Sequence, residues 1–301
     1  MAVDRRAVLQ VLAGTGAAAV APAPAAAASA RREAPPDAVG LLYDATRCIG
    51  CKACVAACAE ANDLEPDRSG IPGGLYQAPT DLNARTKNLI KLYRDGDRVS
   101  YVKVQCMHCI DPACAAACMI GALQKREHGI VTWEPSRCIG CRYCQAVCPF
   151  DVPKFEWSKS NPHIVKCELC RERLADGRQP ACSEVCPRQA VVFGRRDELL
   201  AEARRRLAEA PGRYVDRIYG EREGGGTQVL YLAAVPFDKL GLPDLGDASA
   251  PQVARTVQHG VYQGFVAPVV LYALLGGVMW RNRRTSAGPT ASPRGSEEDA
   301  P

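Results

Sequence analysis

The sequence predicts an α+β fold organised around its cysteines, followed by one membrane-crossing helix near the C-terminus. Three observations predict it. Sixteen cysteines among 301 residues fall into four groups of four. Short β-prone runs stand beside those groups, and an amphipathic helical stretch follows them. Near the end, Val261 to Trp280 is a twenty-residue stretch with no formal charge and one strongly polar side chain, Gln263. Charged residues are 24%, hydrophobic residues 47% and the formal net charge only +5. That balance suits a globular protein and gives a nucleic-acid role little support, since no basic face with interleaved aromatics stands out.

The first element, residues 1–30, reads as an export signal. Arg5 and Arg6 precede a mildly apolar stretch from Ala7 to Val20, and the small-residue site Ala28-Ser29-Ala30 follows. This is the layout of a twin-arginine signal cleaved after Ala30. Asp4 stands where Ser or Thr is usual, and Val8 where Phe is common.

The four cysteine groups come next, in residues 31–195. They are Cys48, Cys51, Cys54, Cys58; Cys106, Cys109, Cys114, Cys118; Cys138, Cys141, Cys144, Cys148; and Cys167, Cys170, Cys182, Cys186. Each begins C-x2-C and ends C-x3-C, and no cysteine is left over. Disulfides fit poorly, because a C-x2-C pair is a strained or redox-active bridge. Zinc sites usually join two such knuckles across a spacer, often with His. The compact run from Cys138 to Pro149 is instead the bacterial ferredoxin pattern. Four [4Fe–4S] clusters on all sixteen cysteines are therefore expected.

The spacing has a physical reason. A cubane offers four iron corners, each wanting one soft thiolate. Three cysteines at 2-2 spacing wrap three corners, with backbone N–H groups turned toward the cluster. Small residues such as Gly50, Ala53, Gly140 and Ala146 let the backbone come close. The fourth cysteine faces away and serves the neighbouring cluster, so the motifs act in pairs. Spacing does not say which motifs pair.

Strands are expected at Tyr101–Gln105, Gly129–Trp133 and Ala190–Gly194, each beside a cysteine motif. The stretch Arg196–Ala210 is helical, with Leu199, Leu200, Ala203 and Leu207 on one face, its arginines on a solvated face, and Pro211-Gly212 ending it. It opens a C-terminal extension, 196–256, of helix plus strand. The membrane helix is placed at 257–281. Arg281, Arg283 and Arg284 follow Trp280, which puts the C-terminus in the cytoplasm and the body on the periplasmic side. Residues 282–301 read as a disordered cytoplasmic tail.

Weaker signals yield no chemistry of their own. His108 lies inside the second motif, where the cysteines already suffice, so a supporting or packing role is expected. His128 and His163 carry no pattern, and His259 precedes the membrane stretch. Gly224-Gly225-Gly226 is a turn, lacking the P-loop Lys-Ser/Thr. No catalytic constellation is legible, because every cysteine is committed.

The motifs, with "CMHCIDPACAAAC", "CIGCRYCQAVCPFDVPKFEW" and "KCELCRERLADGRQPACSEVCP", resemble the iron–sulfur subunits of the dimethyl-sulfoxide-reductase and formate-dehydrogenase group. The likeness covers about Tyr43 to Gly194. Asp81–Tyr93 and Gly225–Leu245 resemble the connecting segments of the hydrogenase-2 iron–sulfur subunits within that group. The resemblance implies two paired ferredoxin-like units with nested pairing. One cluster would take Cys48, Cys51, Cys54 and Cys186, and its neighbour Cys58, Cys167, Cys170 and Cys182. A further cluster would take Cys106, Cys109, Cys114 and Cys148, and the last Cys118, Cys138, Cys141 and Cys144. Ala59 and Met119 depart from the proline that follows the last cysteine in ferredoxins, which loosens a turn but removes no ligand. The resemblance further implies an electron-transfer subunit without a catalytic site. Its expected partners are nickel–iron hydrogenase subunits and an integral membrane quinone-reactive subunit. A formate dehydrogenase or sulfur-compound oxidoreductase is the alternative setting, and a zinc-stapled binding module is the alternative of another class.

Overall fold

The computed structural model describes residues 32–65, 80–159 and 162–286. The expected export signal at 1–30 and the chain beyond Ser286 lie outside the described residues. A compact body ends at Val253, and a separate unit begins at Ala254.

The body is organised by a three-stranded sheet. β1 (Val39–Asp44) lies between β8 (Val191–Arg195) and β9 (Val229–Leu232). β1 runs antiparallel to β8, with Val39 opposite Arg195, and parallel to β9, with Leu41 opposite Val229. The sequences "VGLLYD" and "VLYL" are nearly continuous apolar runs, as a strand covered on both faces requires. Alternation divides them. Leu42, Leu230 and Leu232 pack with Leu199, Leu200 and Ala203 of α6 (Arg196–Glu209). Leu41, Tyr43, Val229 and Tyr231 pack on the other side, in a cluster with Cys54, Met107 and Cys182. The sheet thus separates an ordinary helix-on-sheet core from a cysteine-bearing one.

Asp197 and Glu198 stand in the first turn of α6, where the helix dipole favours negative charge. The expected solvated arginine face holds at Arg204 and Arg205, which are 61% and 53% exposed. It fails at Arg206, which is only 6% exposed. Arg206 Nη1 lies 3.1 Å from Asp44 Oδ2, and its Nε donates to Glu202 Oε1 at 2.7 Å. The Tyr214 hydroxyl donates to the same Asp44 oxygen at 3.0 Å. A fully buried carboxylate on β1 needs such partners, and this draws the arginine inward.

The remaining strands form hairpins. β2 (Asn88–Asp95) pairs with β3 (Arg98–Gln105), from Asn88 opposite Gln105 to Asp95 opposite Arg98, around a Gly96-Asp97 turn. β4 (Leu123–Lys125) pairs with β5 (Val131–Trp133), and β6 (Lys154–Phe155) with β7 (Ile164–Val165). Tyr101–Gln105 lies inside β3, and β8 is offset by one residue from Ala190–Gly194. The strand expected from Gly129 begins only at Val131, because His128 and Gly129 take φ values of 55° and 70° and turn the chain. Within 196–256 lie α6 and β9, and β9 joins the central sheet.

Each cysteine motif runs into a short helix. These are α1 (Ala53–Glu60), α2 (Ala113–Ala116), α3 (Tyr143–Ala146) and α5 (Ala181–Glu184), with α4 (Arg171–Ala175) inside the long gap of the fourth motif. α1 packs on α5, and α2 on α3. The first motif therefore meets the fourth, and the second meets the third.

α7 (Ala250–Ser286) follows, with the Ser249 hydroxyl accepting the Gln252 N–H at 3.2 Å at its start. Residues 282–286, expected in the disordered tail, are helical. Arginine is a good helix former, and its charge suits a helix C-terminus. Among the described residues, no helix is long and apolar enough to cross a membrane. The expected span at 257–281 is therefore not supported by the described structure.

Candidate iron–sulfur sites

The four C-x2-C loops share one backbone feature. The residue before the second cysteine is left-handed in every loop: Gly50 at φ 70°, His108 at 48°, Gly140 at 70° and Leu169 at 50°. Two loops meet this demand with glycine and two with a side chain. For a leucine that conformation is costly and persists only where the surroundings enforce it. The turn has a clear product. Gly50 N–H donates to Cys48 Sγ at 3.4 Å, and Leu169 N–H to Cys167 Sγ at 3.4 Å.

The fourth cysteine of each motif shows a second repeat. Ala122 N–H donates to Cys118 Sγ at 3.2 Å, and Ala190 N–H to Cys186 Sγ at 3.3 Å, four residues back in each case. In the first motif the Asn62 side-chain amide reaches Cys58 Sγ at 3.6 Å from the same offset. Hydrogen bonds to sulfur stabilise a thiolate and tune any metal it holds.

The cysteines are packed in four groups. Cys48, Cys51, Cys54 and Cys186 line one cavity with Tyr43, Ile90 and Pro187, and are called here the Cys48 group. The Cys58 group joins Cys58 to Cys167, Cys182 and Cys170 as electrostatic neighbours. The Cys106 group joins Cys109 to Cys106, Cys114 and Cys148. In the Cys118 group, Cys144 neighbours Cys141 and Cys138, and Cys118 packs in the same apolar cluster as Cys138 and Cys144. Contacts also run between groups. Cys54 neighbours Cys182, Cys106 neighbours Cys167, and Cys144 neighbours Cys114. The groups therefore stand in a row: Cys48, Cys58, Cys106, Cys118. Cys51 and Cys141 are the exposed cysteines, and they belong to the two end groups.

The donor set fits iron–sulfur clusters. All sixteen thiols are free of disulfides. Among the described residues, no three metal-binding side chains converge as they would around a single ion. Burial pushes the thiols of Cys54, Cys58, Cys106 and Cys144 up to about 12, and that of Cys182 to about 11. Without iron these thiols stay protonated at neutral pH, so iron binding must displace their protons.

His108 is fully buried, with Nδ1 accepting the Val131 N–H at 3.1 Å. Burial, with Lys166 and Lys125 nearby, holds its pKa well below the usual histidine value, so it is a neutral packed ring. His128 pairs with Asp37 at 3.1 Å, and His163 packs against Trp133. Gly224 to Gly226 form a turn, all with positive φ. Sequence reasoning missed Lys103 and Lys166, which are 1% and 2% exposed among the cysteine groups. A lysine in a run such as "YVKVQ" reads as a strand's solvent face. Only the three-dimensional packing reveals otherwise.

A 4Fe-4S dicluster domain matches residues 98–196. The chain is 39% identical over 284 residues to the hydrogenase-2 operon protein HybA of Escherichia coli O157:H7, covering 83% of this chain and 86% of HybA. The chain belongs to the HybA-like family of iron–sulfur proteins. It is also 37% identical over 241 residues to the formate dehydrogenase-O iron-sulfur subunit of Escherichia coli (strain K12), covering 76% of this chain and 78% of that one. A formate dehydrogenase iron-sulfur subunit of Haemophilus influenzae is 34% identical over 248 residues, covering 79% and 77%. HybA-like chains thus extend the likeness well beyond the dicluster domain, into α6 and β9.

Proposed function

We propose that this chain binds four [4Fe–4S] clusters through its sixteen cysteines. It would carry electrons between a periplasm-facing nickel–iron hydrogenase and a quinone-reactive membrane subunit. The observation that carries the reading is the row of four cysteine groups with an exposed cysteine in each end group and mostly buried ones between. When bound, the clusters supply one-electron carriers whose potentials respond to charge, hydrogen bonding and burial. The chain's own residues do the rest. The left-handed loops aim N–H groups at sulfur, the four-residue offsets hold the partner cysteines, and the sheet excludes water from the interior groups. Cys51 and Cys141 mark the two ports where electrons enter and leave.

The hydrogenase setting rests on the HybA likeness. The membrane setting rests on the uncharged run Val261–Trp280 and on large apolar side chains exposed along α7, among them Val269, Leu274, Met279 and Trp280. Arg284 stacks on Trp280 at 3.7 Å, a pairing suited to a membrane–water interface. The export reading rests on Arg5-Arg6 and agrees with that topology. A formate-dehydrogenase setting is a second reading, favoured by the formate dehydrogenase subunits among the relatives.

Deleting the chain tests the proposal. Hydrogen-dependent quinone reduction in membranes should disappear, while hydrogen oxidation with a small artificial dye persists. Persistence of both activities overturns the conduit role. Loss of formate-dependent respiration with untouched hydrogen activity selects the second reading. Replacing Arg5 and Arg6 by lysine should leave the loaded protein in the cytoplasm, and unchanged export overturns the signal.

A further inference from the structure

Two lysines are shut inside the body between cysteine groups. Lys103 projects from β3, where its residue pairs with Ile90. Its Nζ donates to Gln105 Oε1, and its backbone carbonyl accepts the Tyr231 hydroxyl at 2.6 Å. Lys166 follows β7. Its Nζ donates to the Val131 carbonyl and, at 3.0 Å, to the Cys167 carbonyl. Lysine is almost never fully buried unless paired. Among the described residues, no carboxylate lies within ion-pair distance of either one. Cysteines are the charged or titratable neighbours that both act on. Lys103 has Cys182, Cys54, Cys167 and Cys58 as its electrostatic neighbours. It therefore stands where the Cys48 and Cys58 groups meet. Lys166 acts on Cys106 and Cys114, and its hydrogen bond to Cys167 places it where the Cys58 and Cys106 groups meet. The Cys118 group stands at the far end of the row from Lys103, with the Cys106 group between it and the Cys58 group.

We propose that Lys103 and Lys166 are fixed counter-charges that raise the reduction potentials of the iron–sulfur sites beside them. The inference rests on the iron–sulfur reading above. A buried ammonium among thiols is stable only if the thiols carry negative charge, as they do on iron. Among the described residues the two ammonium groups meet only oxygen acceptors, Gln105 Oε1 for Lys103 and the Val131 and Cys167 carbonyls for Lys166, so neither charge is neutralised by a carboxylate. In a low-dielectric interior, a cation favours whichever state of its neighbour has the extra electron. Both lysines are therefore positioning residues for charge. The Cys118 group, farthest from Lys103 in the row, serves as the reference for the Lys103 effect.

The test is a redox titration of anaerobically purified full-length protein, followed by paramagnetic resonance. Signals are assigned with single Cys→Ser variants. In Lys103→Met, signals of the Cys48 and Cys58 groups should move to more negative potentials, while the Cys118-group signal stays in place. In Lys166→Met, the Cys106-group signal should move the same way. A loaded Lys103→Met protein with unchanged midpoints, or with all four shifted alike, overturns the inference and leaves the conduit reading standing. If Lys103→Met does not load iron, Lys166→Met decides by the same criteria. Failure of both to load means that the lysines are structural, which also overturns it. Wild-type protein without iron–sulfur signals would sink the underlying reading itself.

Discussion

Gly50 has φ of +70°, and a Cβ placed on it would lie 2.2 Å from Cε1 of Tyr101. The substitution Gly50→Ala therefore combines two costs. Holding an alanine in the left-handed region costs about 1–2 kcal/mol. Relieving the overlap costs about 1–3 kcal/mol, typical of overpacking. The Tyr101 ring is packed against the cluster that holds Tyr43 and Cys54, which limits its room to swing away. Gly177 is the matched control, with φ of +71° and nothing within 4 Å of its added Cβ. Gly177→Ala carries the conformational cost alone. At about 2–4 °C per kcal/mol for a body of this size, Gly50→Ala should lower the temperature of cluster bleaching by about 10 °C, and Gly177→Ala by about 4 °C. The assay is loss of visible absorption from anaerobically loaded protein at one heating rate. Gly50→Ala should also disturb the Cys48-group resonance selectively. Equal drops in the two variants, or bleaching of Gly50→Ala at the wild-type temperature, would refute the claim that close packing against Tyr101 shapes this loop.

Further outcomes follow from the same geometry. Cys186→Ser should perturb the same paramagnetic signal as Cys54→Ser, and a signal shared instead with Cys141→Ser would refute the nested arrangement. Iron and acid-labile sulfide in anaerobic protein should each approach about sixteen per chain, as four cubanes require, and values near half that would exclude four. Arg206→Ala should cost about 3 kcal/mol, the order expected when a buried carboxylate loses its cation, measured as a lower denaturant midpoint. Arg205→Ala, on the exposed face beside it, should leave that midpoint unchanged. Removing iron with a chelator should unfold the cysteine-bearing side first, seen as early loss of amide protection in β2 and β3 while β1, β9 and α6 persist.

Much of this molecule is legible in one dimension because cysteine spacing is a local property. The loops at Cys48 and Cys138 are nearly the same words, and they fold to nearly the same angles. The helix after β8 is legible for the same reason, its apolar period being contained within four turns. What is not legible depends on distant partners. Spacing is silent on pairing because the packing of α1 on α5 and of α2 on α3 joins motifs that lie apart in the chain. β1 and β9 are far apart in the chain, and neither announces the other. The burial of Lys103, Lys166 and Arg206 runs against their residue type and follows from partners that tertiary structure supplies: the Asp44 carboxylate for Arg206, and amide and carbonyl oxygens for the two lysines. His108 and Leu169 occupy a backbone position that glycine would mark, so half of the repeated turn is invisible to composition.

The packing of the first motif against the last sets a timetable for biosynthesis. A ribosome adds about 5–20 residues each second, so Cys186 emerges on the order of ten seconds after Cys48. Cys118 to Cys144 are all available well before that. The central portion of the chain can therefore close on its metal while the N-terminal thiols still wait. Those thiols need protection from oxidation or premature metallation until translation reaches the fourth motif. Any quality check that read only the N-terminal motif would be reading the last cysteine group to be finished. Completion of the Cys48 group is thus a natural report that translation has passed the fourth motif.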